Sequence, residues 1–251
     1  MYTAVNYVKA ETLEQAWELN QKRANAILGG GGWMRLGSRR YNTLIDLSGL
    51  GLDRIEEQKN EVTLGAMVTL RQLETSLVLR ACFGDLFARC TGHIVGVQFR
   101  NCATLGGSVA ARFGFSDILT ALLSLDCRVE LVKGGEMPLA QYVRMERDRD
   151  VLVRVYIKKN GIRAAYQSVR NSATDLPTLT CALSQRGGAC RAVIGARPAL
   201  PRVLEGTSLD ELLLQAEELP YGDNLRGSAA YRRHLAAVLL KRAWKELEVQ
   251  A

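Results

Sequence analysis

Ala103-Thr104-Leu105-Gly106-Gly107-Ser108 joins a helical stretch to a new element, and it has a counterpart about seventy-five residues earlier, Leu28-Gly29-Gly30-Gly31-Gly32-Trp33. Glycine runs of this kind let bare backbone N–H groups converge on an anion, because a residue without a Cβ allows close approach. Two such segments in one chain suit the two phosphates of a dinucleotide. The first lacks the G-x-G-x-x-G order of a Rossmann unit, and no Gly-Lys-Ser/Thr follows it as in a Walker loop.

The elements around these segments alternate. Thr12 with Gln15 makes a capping box ahead of the apolar stripe Leu13, Ala16 and Trp17. Ala26–Leu28 reads as a short strand entering the first glycine run, and residues 43–47 read as a second strand. Residues 62–66 begin another unit. Thr69 with Gln72 caps the helix that follows, and a longer helical stretch covers about 75–95. Residues 117–125 read as a buried helix with Asp117 in its first turn, and 128–132 and 151–157 as strands. Beyond a turn at Lys159-Asn160-Gly161 the texture changes. Residues 163–203 predict an antiparallel sheet, Ser208 with Glu211 caps another helix, and a last helix carries Tyr231, Leu235, Val238 and Leu239. A domain boundary is expected near residue 162.

Composition narrows the class. The chain has 251 residues, 47% of them hydrophobic, which suits a soluble globular protein of one large or two modest domains. No apolar run is long enough for a membrane span. The N-terminus has no secretory pattern, so the cytoplasm is expected. Six cysteines stand alone, with no C-x-x-C pair, which argues against a zinc site or an iron–sulfur cluster within the chain. The net charge of +7 is dispersed, with clusters at Arg35, Arg39 and Arg40 and again at Arg226, Arg232, Arg233, Lys241 and Arg242. Without a basic tail and with few aromatics, an anionic cofactor or an acidic partner subunit explains this charge better than nucleic acid does. His93 and His234 are the only histidines, so no Ser/His/Asp or metal-ligand set emerges.

With these segments in order, the chain resembles the flavin-binding medium subunits of the molybdenum hydroxylases, the xanthine dehydrogenase and carbon monoxide dehydrogenase type. The resemblance covers essentially the full length. It rests on the first glycine run, on Arg100-Asn101-Cys102-Ala103-Thr104-Leu105-Gly106-Gly107-Ser108, on Ala110 to Asp117, and on Arg226-Gly227-Ser228-Ala229-Ala230-Tyr231-Arg232-Arg233. It implies an α+β fold: a two-subdomain FAD-binding domain of the vanillyl-alcohol-oxidase (PCMH) type over 1–162, split at about 55/56, then a small C-terminal domain over 163–251 with an antiparallel sheet and helices. It implies FAD held between the two subdomains. Leu28, Gly29, Gly30, Gly31, Gly32, Trp33 and Met34 would line one side of the diphosphate, and Thr104, Gly106, Gly107 and Ser108 the other. Asp117 would accept a hydrogen bond from a cofactor hydroxyl or nearby amide; it also fits an ordinary first-turn carboxylate.

The family pattern is not met everywhere. Gly32 stands where a Thr or Ser is usual, Trp33 replaces a commonly polar residue, Ser108 replaces Asn, and the Gln167–Arg170 stretch lacks a lysine the family often carries there. Phe99, Phe113, Phe115 and Leu176 are candidates to pack on the flavin ring or simply in the core. The resemblance further implies partners, one subunit with a molybdenum cofactor and one with two [2Fe–2S] clusters, and electron flow through FAD to NAD or another acceptor. A stand-alone flavin oxidase and a non-catalytic nucleotide-binding module are the alternatives. The flavin would carry the chemistry, so no catalytic acid–base residue and no metal ligand is assigned.

Overall fold

A computed structural model describes residues 1–249. The strands are β1 (Thr3–Lys9), β2 (Ala26–Leu28), β3 (Arg40–Asp46), β4 (Ile55–Glu57), β5 (Glu61–Gly65), β6 (Cys127–Leu131), β7 (Gly135–Pro138), β8 (Leu152–Lys158), β9 (Arg163–Val169), β10 (Leu179–Arg186), β11 (Ala189–Gly195) and β12 (Arg202–Gly206). The helices are α1 (Leu13–Asn20), α2 (Leu70–Thr75), α3 (Leu77–Phe83), α4 (Leu86–Gly92), α5 (Val97–Cys102), α6 (Leu105–Ala110), α7 (Asp117–Leu123), α8 (Leu139–Arg144), α9 (Leu209–Glu217) and α10 (Ala229–Val249). They form two compact units that interleave along the chain. One comprises residues 1–72, 97–111 and 127–157, the other 73–96, 112–126 and the described residues from 158 onward.

The first unit holds both glycine segments. Its three-stranded sheet, in the order β1-β3-β2, is parallel, with Ala26↔Leu44 and Leu28↔Asp46 in register. Parallel strands need crossovers, and α1 supplies the one between β1 and β2. The Thr12 cap forms as its sequence predicts, since Thr12 Oγ1 accepts from the Gln15 N–H at 3.1 Å. Ala10, Ala16, Ile45, Leu47 and Val151 make a small core against which Trp17 and Ile27 pack. A second, five-stranded sheet runs β4-β5-β8-β6-β7. In β8, Val153, Val155 and Ile157 are buried. Arg154 and Tyr156 alternate with these and bond Glu130 of β6 at 3.1 and 2.6 Å, the charged face expected of a half-buried strand.

The second unit is built on the antiparallel sheet β12-β11-β10-β9. Strand β10 is buried on both faces over residues 179–184. Leu179, Cys181 and Leu183 join the core formed with Leu235, Ala236, Leu239 and Leu240 of α10. The alternate residues meet α7, where Thr180 Oγ1 lies 2.9 Å from Thr120 Oγ1 and Ser184 Oγ donates to the Ser124 carbonyl at 2.5 Å. A Cβ on Gly195 would stand 2.4 Å from both threonine hydroxyls, so α7 lies this close to the sheet only because the position is glycine.

Three expectations change. The helical stretch over 75–95 is two helices, broken where Gly84 takes φ +60°. The second glycine segment is not a loop: Gly106 and Gly107 form the first turn of α6, with Thr104 as its cap. The antiparallel sheet gains β12, which sequence alternation did not reveal. The Thr69–Gln72 box forms in both directions, at 2.8 and 3.2 Å. In the Ser208–Glu211 box the carboxylate instead takes the N–H of the preceding Thr207.

Candidate functional site

The turn after β2 is where the first glycine segment acquires its shape. Gly30 and Gly31 both adopt left-handed backbone, φ +74° and +73°, which other residues reach only with strain. A Cβ on Gly30 would stand 1.7 Å from the Cys102 carbonyl oxygen, and one on Gly32 would stand 2.8 Å from the Phe99 ring. The glycines therefore let the turn lie against the α5–α6 corner, a role beyond approach to a ligand.

The corner is fastened by Thr104. Its hydroxyl accepts from the Gly107 N–H and donates to the Gly29 carbonyl, both at 3.2 Å. Leu105 N–H reaches the Val68 carbonyl and Gly106 N–H the Ala66 carbonyl, each at 2.8 Å. A Cβ on Gly106 would stand 2.7 Å from that Ala66 oxygen. Ser108 Oγ donates back to the Thr104 carbonyl at 2.9 Å. The start of α6 thus has its donors committed internally. On the turn, by contrast, the N–H groups of Gly30, Gly31 and Gly32 have no acceptor among the described residues. Bare backbone donors on a turn whose Gly30 and Gly31 are left-handed are the chemistry a diphosphate takes. Gly107 is exposed and carries no side chain to block access. Trp33 is half-exposed beside the turn, and Met34 opens the 3₁₀ turn Met34–Leu36.

Asp117 belongs to the second unit. Ser116 caps α7, its Oγ accepting from Leu119 N–H at 3.2 Å, and this sets Asp117 in a buried first turn. Asp117 Oδ1 accepts from both the Tyr166 hydroxyl and the Arg170 guanidinium. Burial raises the carboxyl pKa, against the opposing pull of Arg170 and Tyr166. Arg170 also donates to the Asp175 carbonyl at 2.7 Å, and the Asp175 carboxylate pairs with Arg226 at 2.7 Å. Arg232 is fully buried. It donates to the carbonyls of Thr178 at 3.0 Å and Gly222 at 2.6 Å, to the Gly227 carbonyl, and to Asn224 Oδ1 at 2.5 Å. The closing motif Arg226–Arg233 is thus a clamp on the segment 171–178.

That clamp shapes a cavity of about 320 Å³ lined by Gly114, Phe115, Leu176, Pro177, Leu200 and Arg226. Phe115 and Leu176 meet here, and Phe113 stacks on Phe115 at 5.0 Å between ring centroids. Phe99, in the other unit, packs on the glycine turn. His93 follows the end of α4 and His234 lies on α10, both exposed. Among the described residues no three His, Cys, Asp or Glu side chains form a metal-binding group. Sequence reasoning missed the Asp117–Tyr166–Arg170 and Asp175–Arg226 contacts. Their partners lie 49 to 53 positions apart and share no periodicity.

The geometry agrees with what comparison finds. Residues 3–158 match the model of the FAD binding domain in molybdopterin dehydrogenase. The chain is 27% identical over 247 residues to YgfM of Escherichia coli K12, a protein of unassigned role, covering 93% of each. It is 26% identical over 271 residues to the nicotine 6-hydroxylase medium subunit of Paenarthrobacter nicotinovorans, covering 95% of each. Its fold superposes on a chain of the cyanide-inactivated Cu,Mo-CO dehydrogenase with a TM-score of 0.85 at 24% identity, over 99% of both chains. The bare donors of the glycine turn fit the cofactor that this family takes, FAD. The chain belongs to the family of FAD-binding domains of the molybdopterin dehydrogenases.

Proposed function

We propose that this chain is the flavoprotein subunit of a molybdenum hydroxylase complex, xanthine dehydrogenase-like in its division of labour. One partner subunit would carry the molybdenum cofactor and another two [2Fe–2S] clusters. FAD bound here would exchange electrons between those clusters and NAD or another acceptor. The observation that carries the reading is the glycine turn, whose three N–H groups have no acceptor among the described residues. Leu28 to Met34 hold the diphosphate by backbone donors. Thr104, Gly106, Gly107 and Ser108 form the wall that keeps the turn in shape. Asp117, its Oδ1 held by Tyr166 and Arg170, would accept a hydrogen bond from a cofactor hydroxyl or nearby amide. Residues 1–162 make the FAD-binding domain and 163–251 the C-terminal domain. The relative named as a medium subunit supports an assembly of several chains. The free thiols suit the reducing cytoplasm, and no helix among the described residues is long and apolar enough to cross a membrane.

The visible spectrum of the purified chain tests this. Flavin absorption, present as isolated or gained on adding FAD, is expected, and its loss in a Gly30 variant would locate the site. A chain that stays colourless with excess FAD would leave only the nucleotide-binding alternative. Bleaching of the flavin by an organic substrate, with no partner present, would favour a stand-alone oxidase instead. Co-purification with stoichiometric molybdenum and iron from the native host is the expected sign of the complex.

A further inference from the structure

The turn over residues 22–25 leads into β2 at the end opposite the glycine turn. Each of its carbonyls is engaged. The Lys22 carbonyl accepts from Asn25 N–H at 2.9 Å, and the Ala24 carbonyl from Asn42 N–H at 2.8 Å. Arg149 Nη2 donates to the Lys22 and Asn25 carbonyls at 3.0 and 2.9 Å, and Arg39 Nη2 donates to the Arg23 carbonyl at 3.4 Å. Two guanidiniums from distant parts of the chain therefore converge on one turn, beside the side chains of Lys22 and Arg23.

Both guanidiniums are held a second time. Arg39 lies 5.2 Å over the Tyr41 ring. Arg149 Nε donates to the Asn20 carbonyl, and its Nη2 reaches Asn20 Oδ1 at 3.2 Å. Arginines anchored in this way lose less freedom when they meet a ligand. The Nη1 groups of Arg39 and Arg149 have no acceptor among the described residues. Nor do Lys22, Arg23, Arg39 and Arg149 form an ion pair among them. The acids flanking Arg149 in sequence serve the backbone instead: Asp148 accepts from Asp150 N–H at 3.2 Å, and Asp150 from Gly134 N–H at 2.7 Å. Burial and the positive charges of Arg39 and Arg23 lower the Arg149 pKa, so the guanidiniums feel one another. Gathered like charges without an acid destabilise the folded chain, and an anionic partner relieves that repulsion.

We propose that Lys22, Arg23, Arg39 and Arg149 form a docking site for an acidic face of a partner protein, whose Asp and Glu carboxylates the guanidiniums bind. The planar fork of arginine matches a carboxylate. Lys22, Arg23 and Arg39 are exposed, so a lone phosphate there stays hydrated and screened, whereas carboxylates fixed on one surface engage the cations together. A single-stranded nucleic acid needs open aromatic faces for its bases, and Arg39 already covers that of Tyr41. None of these residues belongs to the glycine turn or its wall, so this inference stands or falls apart from the flavin reading.

The test titrates the full chain with a fluorescein-labelled hexaglutamate peptide at low salt, read by anisotropy. Arg23→Glu should weaken binding by about fivefold or more. The Arg23 side chain makes no hydrogen bond among the described residues, so the fold should tolerate this change. Arg39→Gln is the second variant and should weaken binding in the same direction. Lys241→Glu, an exposed position on α10 with the same change in net charge, should leave binding intact. Backbone NMR shifts induced by the peptide should centre on residues 22–25, 39 and 149. Equal weakening by Arg23→Glu and Lys241→Glu would show that net charge alone binds the peptide, and would overturn the proposal. So would shifts centred elsewhere, or inorganic phosphate or duplex DNA that displaces the peptide at matched charge concentration. A concentration-dependent dimer abolished by Arg23→Glu would give the site to a second copy of this chain, and overturn it equally.

Discussion

Gly30 faces the carbonyl oxygen of Cys102 at a distance that leaves no room for a methyl group, since a Cβ there would stand 1.7 Å from that oxygen. Its neighbour Gly31 has the same left-handed backbone, but a Cβ there would meet nothing closer than 3.4 Å. The two positions separate backbone strain from collision. Gly31→Ala should cost about 1 kcal/mol, the left-handed penalty alone. Gly30→Ala adds displacement of the α5–α6 corner and should cost about 2–4 kcal/mol. Denaturant melts measure the difference, and FAD retention should fall much further for Gly30→Ala than for Gly31→Ala. Equal losses would mean that the collision relaxes freely.

Arg232 is the largest fully buried side chain, and its guanidinium meets three carbonyls and Asn224. Arg232→Met fills similar volume but strands those acceptors, so it should destabilise by about 3–5 kcal/mol. Arg232→Lys keeps the charge but cannot reproduce the planar fork, and should recover only part of that loss. Chemical denaturation of the three forms gives the ranking. A methionine variant as stable as the native chain would show that the clamp on residues 171–178 is not held by this side chain.

The difference between what the sequence revealed and what it did not has a physical basis. Thr12 with Gln15 and Thr69 with Gln72 are local signals whose partners lie within one turn, so caps and helix starts were readable. Strand β10 was readable as a strand, but its burial on both faces depends on α7 and α10, which come from distant parts of the chain. The glycine-rich segments stand out in the sequence, but which of them leaves its N–H groups unbonded does not. Thr104–Ser108 matches the family pattern better, but its N–H groups are taken by Val68, Ala66 and Thr104 itself. The weaker-looking run, Gly29–Gly32, holds the free donors. Whether an N–H is free is a tertiary fact, and nothing in the spacing encodes it.

Asp117 and Asp175 should answer pH in opposite directions. Asp175 has its pKa lowered, chiefly by its hydrogen bond from Arg226. Its contribution is present above the ordinary aspartate value and is lost as the pH falls through its lower folded value. Asp117 has its pKa raised by burial, so whatever it contributes is present at low pH and is lost as the pH rises through its folded value. Thermal melts across the acid range should therefore show a destabilising limb below the ordinary aspartate value that flattens in Asp175→Asn. Asp117→Asn should keep that limb. A flattened limb in Asp117→Asn, with Asp175→Asn unchanged, would reverse the assignment.

Gly32 stands where the family resemblance implies a Thr or Ser, and Phe99 occupies the space such a side chain would need. A Cβ on Gly32 would meet the ring at 2.8 and 2.9 Å, so the ring fills the space a Ser or Thr would need. Phe99 approaches with the far end of its side chain, which can swing, so the collision is of the overpacking kind and should cost about 1–3 kcal/mol. Gly32→Ser alone should thus lower stability and weaken FAD binding, although it restores the commoner residue. Phe99→Leu shortens the ring side of the contact, and the double variant should recover most of the loss. A coupling energy of about 1 kcal/mol or more in the four-way cycle is expected. Additive effects would show that ring and turn are energetically independent. Gly32→Ser that tightens FAD on its own would show that Phe99 yields without cost, and that the missing hydroxyl, not the ring, limits cofactor binding here.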